Sequence, residues 1–261
     1  MFTPQPWNTY TVDSIRKVKL KPIENAGGYW QGVPHGELID AVRKEFKQRK
    51  WKIVDTRYTL SEDYADIGAS FTLNLEIDPP KGQLFSIGML SSNARRRALT
   101  FFNGTVDEKT KAGVVFGQLE CKKHTSGFDV QKEVESILDS YLVNTVDARD
   151  RIDWMKKIKL PLSVVDHLMM DACRGGIREK FLWSKLGLFN QEWKRLTKNS
   201  NVYPIHKDKH NAWTLLLAAG IVVKQMSPLK QMDIMRNIYD LLMKFGENLV
   251  KTREMLKNTG R

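Results

Sequence analysis

The segment Ser91-Ser92-Asn93-Ala94-Arg95-Arg96-Arg97 holds the densest phosphate-binding chemistry in the chain. Three adjacent guanidinium groups offer planar donors that match phosphate oxygens. Ser92 and Asn93 add neutral donors beside Arg95, Arg96 and Arg97. Phe101 and Phe102 follow, and aromatic rings next to arginines suit unpaired bases, which stack on them whatever their sequence. A solvated basic turn followed by core phenylalanines is the plainer reading of the same residues. Lys122, Lys123, Lys156 and Lys157 extend the positive character, and Trp154, Trp183 and Trp193 lie among further lysines and arginines.

Other chemistries can be drawn from the side chains. Cys121 with His124, and His206 with His210, are the residue types of a tetrahedral zinc site, but the two pairs are far apart in sequence. Glu120 and Lys122 at a strand end, with Asp107 and Asp78 upstream, are the groups a Mg²⁺-dependent nuclease uses to hold metal and activate water. The chain has no Gly-x-x-x-x-Gly-Lys phosphate loop, no serine elbow and no Cys–His nucleophile pair with a recognisable setting. The expectation is ATP-independent binding with no catalytic residue, metal or cofactor assigned; the alternatives are a Mg²⁺-dependent nuclease using Glu120 and Lys122, and a protein-binding anti-defence or host-takeover factor whose basic surface meets an acidic partner.

Composition supports that direction. The 261 residues carry 42 Lys and Arg against 30 Asp and Glu, a formal charge of +12. Such an excess favours a polyanionic partner, nucleic acid first and an anionic membrane surface second. With 41% hydrophobic and 28% charged residues, the chain is composed like an ordinary globular protein. Two cysteines rule out a disulfide framework. No apolar run approaches the ~18 residues of a spanning helix, and no basic start followed by an apolar stretch marks a secretory signal. A soluble protein of the cytoplasm is expected.

The elements that must carry these residues are α+β. Residues 1–32 read as an irregular basic arm, with Arg16, Lys17, Lys19 and Lys21 among prolines and glycines. A core follows over 33–160. Leu38, Ile39, Val42 and Phe46 recur at helical spacing over 37–49, with Arg43, Lys44, Lys47 and Lys50 as a basic face. Strands are expected over 51–60, 65–77, 83–90 and 114–121, an antiparallel meander with Asp78-Pro79-Pro80-Lys81-Gly82 as a turn and Asn103-Gly104 in a loop. A long helix over 128–154, capped by Asp129, packs on the sheet. Residues 161–261 read as a helical half. Helices fit Ser163 to Met170, Ile177 to Leu186 and Trp213 to Ala219, and another opens at Ser227-Pro228.

Four stretches, in order, resemble an uncharacterised phage- and plasmid-borne protein family. They are Val33-Pro34-His35-Gly36-Glu37-Leu38-Ile39; Ser86 to Asn93; Val114-Val115-Phe116-Gly117 leading to Cys121 with His124-Thr125; and Asn211-Ala212-Trp213. Where that family commonly has an Asn shortly after its cysteine, this chain has Lys122 and Lys123. More remotely, the order helix, antiparallel meander, long helix is similar to the phage and eukaryotic single-strand annealing proteins. That resemblance implies single-stranded DNA as ligand and a ring or filament of identical subunits. It also implies the cytoplasm of a bacterial host as location, and a phage exonuclease or single-strand-binding protein as accessory partner.

Overall fold

The computed structural model describes residues 10–19, 32–125, 127–175, 180–198 and 210–258. The fold is α+β, an antiparallel five-stranded sheet followed by a helical C-terminal half. Its first helix, α1 (Val12–Arg16), corrects the expectation of an irregular arm for the described residues 10–19. Thr11 caps it by accepting from the Ser14 N–H at 3.2 Å, and Ile15 is fully buried. Arg16 then pairs with Asp40 of α2 (His35–Gln48) at 2.6 Å. Gly36 permits this approach, since a Cβ there would lie 2.9 Å from Arg16 Cγ. The rest of the predicted arm, Lys21 included, lies outside the described residues.

The periodicity of α2 places Leu38, Ile39, Val42 and Phe46 in the core, as their spacing predicts. The strands β1 (Lys52–Leu60), β2 (Asp66–Asn74), β3 (Gln83–Ser92), β4 (Leu99–Asp107) and β5 (Gly113–Lys122) form a meander in sequence order, every neighbour antiparallel. Side chains alternate between faces. Ile67, Ala69, Phe71 and Leu73 of β2, with Phe85, Ile87 and Met89 of β3, join α2 and the buried Val134, Ile137, Leu138 and Tyr141 of α3 (Val130–Lys157) in one core. Asp129 caps α3, accepting from the N–H groups of Gln131 and Lys132 at 3.0 and 3.2 Å.

One strand was not foreseen. Asn103-Gly104, a turn signal in isolation, sits inside β4, where Ser86 faces Gly104 and Ile87 faces Asn103. Glycine is required there by a neighbour rather than by a turn: a Cβ on Gly104 would come within 2.3 Å of the Val114 carbonyl oxygen. The strand also places Phe101 and Phe102 in the sheet instead of on its margin.

The chain forms two compact units. The first runs to Arg149 and regains Lys224–Met232, which covers part of the sheet face opposite α2 and α3. A Cβ on Gly88 would meet Met232 Sδ at 2.7 Å, and one on Gly68 would meet the Leu229 backbone at 3.0 Å. The second unit holds the end of α3 with α4 (Leu162–Arg174), α5 (Leu186–Lys198), α6 (Ala212–Val223) and most of α7 (Pro228–Asn258). Every residue of α6 is buried, as befits a helix apolar all round. Phe189, Trp193 and Leu196 bury the inner face of α5. Helix α4 begins at Leu162 after Pro161, so Ser163 lies within its first turn and does not cap it. Of the helix expected over 177–186, residues 177–179 lie outside the described set; residues 180–182 are not helical, and Trp183–Lys185 form a single 3₁₀ turn ahead of α5. Helix α7 does open at Pro228, with Ser227 O accepting from the N–H groups of Lys230 and Gln231 at 2.9 Å. Among the described residues no helix is long and apolar enough to cross a membrane.

Candidate nucleic-acid interface

The β3–β4 connection is built by Ser92 and Asn93, the two neutral residues expected to add donors beside the arginines. Ser92 is fully buried, and its Oγ accepts from the N–H groups of Ala94 and Arg96 at 3.1 and 3.2 Å. The Asn93 side chain accepts from Val33 N–H and donates to Val33 O, both at 2.9 Å, while its own N–H donates to Ala65 O. Their polar atoms serve the loop, which corrects their assignment as ligand donors: they position the arginines. Arg95 adopts φ +60°, a left-handed conformation within this tight connection.

The three arginines differ. Arg96 binds Asp63 in a short ion pair and Asp66 at 3.2 Å, stapling its loop to the β1–β2 turn. Hydrogen bonding from Arg96 holds the Asp63 carboxyl well below the usual carboxylate range. On the same loop Arg95 is exposed and Arg97 half-buried.

Phe101 is 0% and Phe102 2% exposed. Phe101 points with Met89 into the core, and neither ring offers a face to a base. The stacking role expected for them is therefore corrected; burial in the unforeseen β4 is the reason.

At the end of β5 one of the two lysines is engaged. Lys122 bridges Glu133 at 3.3 Å and Glu120 at 3.4 Å, and these carboxylates raise its pKa. Lys123 is exposed. Asp107 accepts from the Thr110 N–H at 2.7 Å and from Gln83 Nε2 at 2.9 Å, so it shapes the β4–β5 turn. Among the described residues no group of three or more His, Cys, Asp or Glu side chains is placed to hold a metal ion. The carboxylates of the nuclease reading do not converge. Cys121 is exposed while His124 is fully buried against Phe128. His210 packs edge-on against Trp193, and His206 lies outside the described residues. In the second unit Lys156 pairs with Asp153 at 3.1 Å, and Lys157 is exposed.

Segments singled out by resemblance do meet. His35, Ser91, Asn93 and His124 form a buried polar cluster at one end of the sheet. Ser91 Oγ lies 3.2 Å from His124 Nε2, and His35 Nε2 lies 3.0 Å from Tyr64 O. Burial, with a smaller contribution from the nearby His35, pushes the His124 pKa down to about 4. Burial lowers that of His35 too, against the partial opposition of the Tyr64 carbonyl and Asp66. Both imidazoles are thus neutral at pH 7, and the cluster ties the start of α2 to the arginine loop.

A row of closely spaced exposed cations lies on α2, the helix whose spacing predicts a basic face. Arg43, Lys44, Lys47, Lys50 and Lys52 are all exposed along the outer face and end of α2 and the first residue of β1. Arg43 donates to the Tyr58 hydroxyl at 3.3 Å. Lys44, Lys47, Lys50 and Lys52 make no ion pair among the described residues. By contrast Arg49 is bound to Glu45 and to Asp139 of α3. Cations at a helix C-terminus complement its dipole, which accounts for one or two of them but not for five within ten residues. Positions 43, 47 and 50 share one helical stripe, a signal that was legible as the basic face of this helix. Comparison with family models, with curated proteins and with solved structures finds no match to this chain.

Proposed function

We propose that this protein is an ATP-independent, phage-type DNA-binding protein that prefers single strands and promotes their annealing as a homo-oligomer. The observation that carries the reading is the row of exposed cations Arg43, Lys44, Lys47, Lys50 and Lys52, all five without a carboxylate partner among the described residues, on a chain of net charge +12. Arg95 and Arg97 supply a second cationic point on the same unit. The resemblance of the motif segments to a phage- and plasmid-borne family, and of the element order to annealing proteins, supports the choice of DNA over other polyanions. The role of the row is to hold the backbone: phosphate contacts position a strand and carry no sequence information.

The test is a salt series. Each phosphate neutralised on a single strand contributes a slope of about −0.7 in log K against log salt. An unlabelled-competitor anisotropy assay with a fluorescent oligothymidylate should give a slope of roughly −3 or steeper. Absence of binding at low salt would overturn the proposal. Glu120 and Asp107, which form no metal-holding group among the described residues, should leave the oligonucleotide uncut with or without Mg²⁺.

A further inference from the structure

On the sheet face opposite α2 lies an open groove of about 350 Å³, within the range of small-ligand sites. It crosses the strands, and its two ends differ chemically. At one end Arg57 and Ser70 are cross-strand partners, as are Asp55 and Thr72. Asp55 engages Arg57 through Nε at 3.5 Å, and neither terminal guanidinium nitrogen makes a hydrogen bond among the described residues. The hydroxyls of Ser70 and Thr72 and the side-chain amide of Gln231 make no hydrogen bond among the described residues, although Thr72 is 94% buried (6% exposed). Hydroxyls and amides in a groove are normally satisfied by protein, water or ligand. At the other end Leu84 and Val106 are cross-strand partners, both only partly buried, and both line the groove. Lys111 stands at the rim without an ion pair among the described residues.

We propose that this groove seats one nucleotide unit of a bound single strand, its phosphate on Arg57, Ser70 and Thr72 and its base on the apolar pair Leu84 and Val106. Thr72 faces Ser86, two residues along β3 from Leu84, so one strand spacing across and about 7 Å along the strand separate the near edges of the two ends, roughly 8 Å, a distance that a nucleotide bridges from phosphate to base. A flat apolar pair accepts any base, so the seat discriminates little among sequences. It discriminates strongly against duplex, whose bases are stacked and paired. The groove would thus supply the single-strand preference, while the α2 row supplies charge. The inference rests on the DNA-binding reading above.

The experiment uses the full chain and an oligothymidylate carrying 4-thiothymidine, irradiated and mapped by mass spectrometry, with binding measured in parallel. Two variants are compared with wild type: Ser70→Trp, which fills the groove, and the surface pair Arg57→Gln with Lys111→Gln, which leaves the core untouched. Expected are crosslinks to Leu84, Val106 or Gln231, at least a tenfold loss of single-strand affinity in both variants, and little change for duplex. Thymidine monophosphate in excess should suppress the crosslink, and inorganic phosphate should do so only weakly; suppression by phosphate as effective as by the nucleotide would contradict a base seat. Crosslinks confined to other residues, with unchanged affinity in the Arg57/Lys111 variant, would overturn the inference while leaving DNA binding intact. Failure of wild type to bind at all would instead remove the reading on which it rests. A circular-dichroism melt identifies a Ser70→Trp protein that does not fold, in which case the Arg57/Lys111 variant and the wild-type crosslinks decide.

Discussion

Lys50 follows the last turn of α2 at φ +56°, where the Trp51 N–H returns to Phe46 O at 2.8 Å. That is the position glycine usually takes at a helix end, because a Cβ is disfavoured in the left-handed region. A lysine there trades backbone comfort for charge at the end of the cationic row. Lys50→Gly should therefore raise stability by up to about 1 kcal/mol and at the same time weaken oligonucleotide binding. Urea denaturation and anisotropy on one sample check both; a variant that is less stable, or that binds as well as wild type, contradicts this reading of Lys50. The buried histidines make a second residue-scale prediction. His124 and His35 titrate lower in the fold than when exposed, so the unfolded chain binds more protons below pH 6.5. Their contribution to stability is full above about pH 6.5 and is lost as pH falls toward 4. The urea midpoint should drop between pH 7 and 5, and His124→Gln should flatten that drop. A wild-type midpoint unchanged over this interval would show that the imidazoles are not held neutral by burial.

At the scale of elements, the glycines on the outer sheet face fix what can lie against each strand. A methyl group on Gly104 would meet backbone, the Val114 carbonyl oxygen at 2.3 Å, whereas one on Gly88 would meet the thioether of Met232. Backbone in a sheet cannot yield and a methionine can. Gly104→Ala should cost about 1–3 kcal/mol or more and Gly88→Ala distinctly less; equal losses in chemical denaturation would argue against the close approach at Gly104. The same residue shows where the sequence is silent. Asn-Gly is a local turn signal, and only the neighbouring β5 makes it a strand interior. Phe101 and Phe102, read as a stacking margin, went into the sheet with it. The helices α2, α3 and α7 and the Asp78–Gly82 turn were legible because periodicity, caps and proline chemistry are local. For Ser92 and Asn93 the sequence shows the polar type that marks a donor, while burial, visible only in the fold, decides that they serve backbone. The basic face of α2 is visible in spacing, but three adjacent arginines stand out in a sequence more than dispersed cations do, and only the fold commits Arg96 to Asp63 and Asp66.

For the whole molecule, a charge of +12 is a statement about partners, not about fold. Annealing needs two strands held extended and presented to each other, which several copies achieve better than one. Light scattering should give a mass above the 30.1 kDa of a single chain, increasing further with single-stranded DNA; a monomer under both conditions would separate binding from annealing. The central claim, that the α2 row carries the DNA backbone, is tested most directly by one comparison. Salt-dependent binding of an oligothymidylate is measured for wild type and for a variant with Lys44, Lys47, Lys50 and Lys52 all changed to Gln. If the four lysines each neutralise a phosphate, the variant's log–log slope should be shallower by about 3, with affinity reduced for every sequence alike. An unchanged slope in a variant whose melt matches wild type would contradict the account.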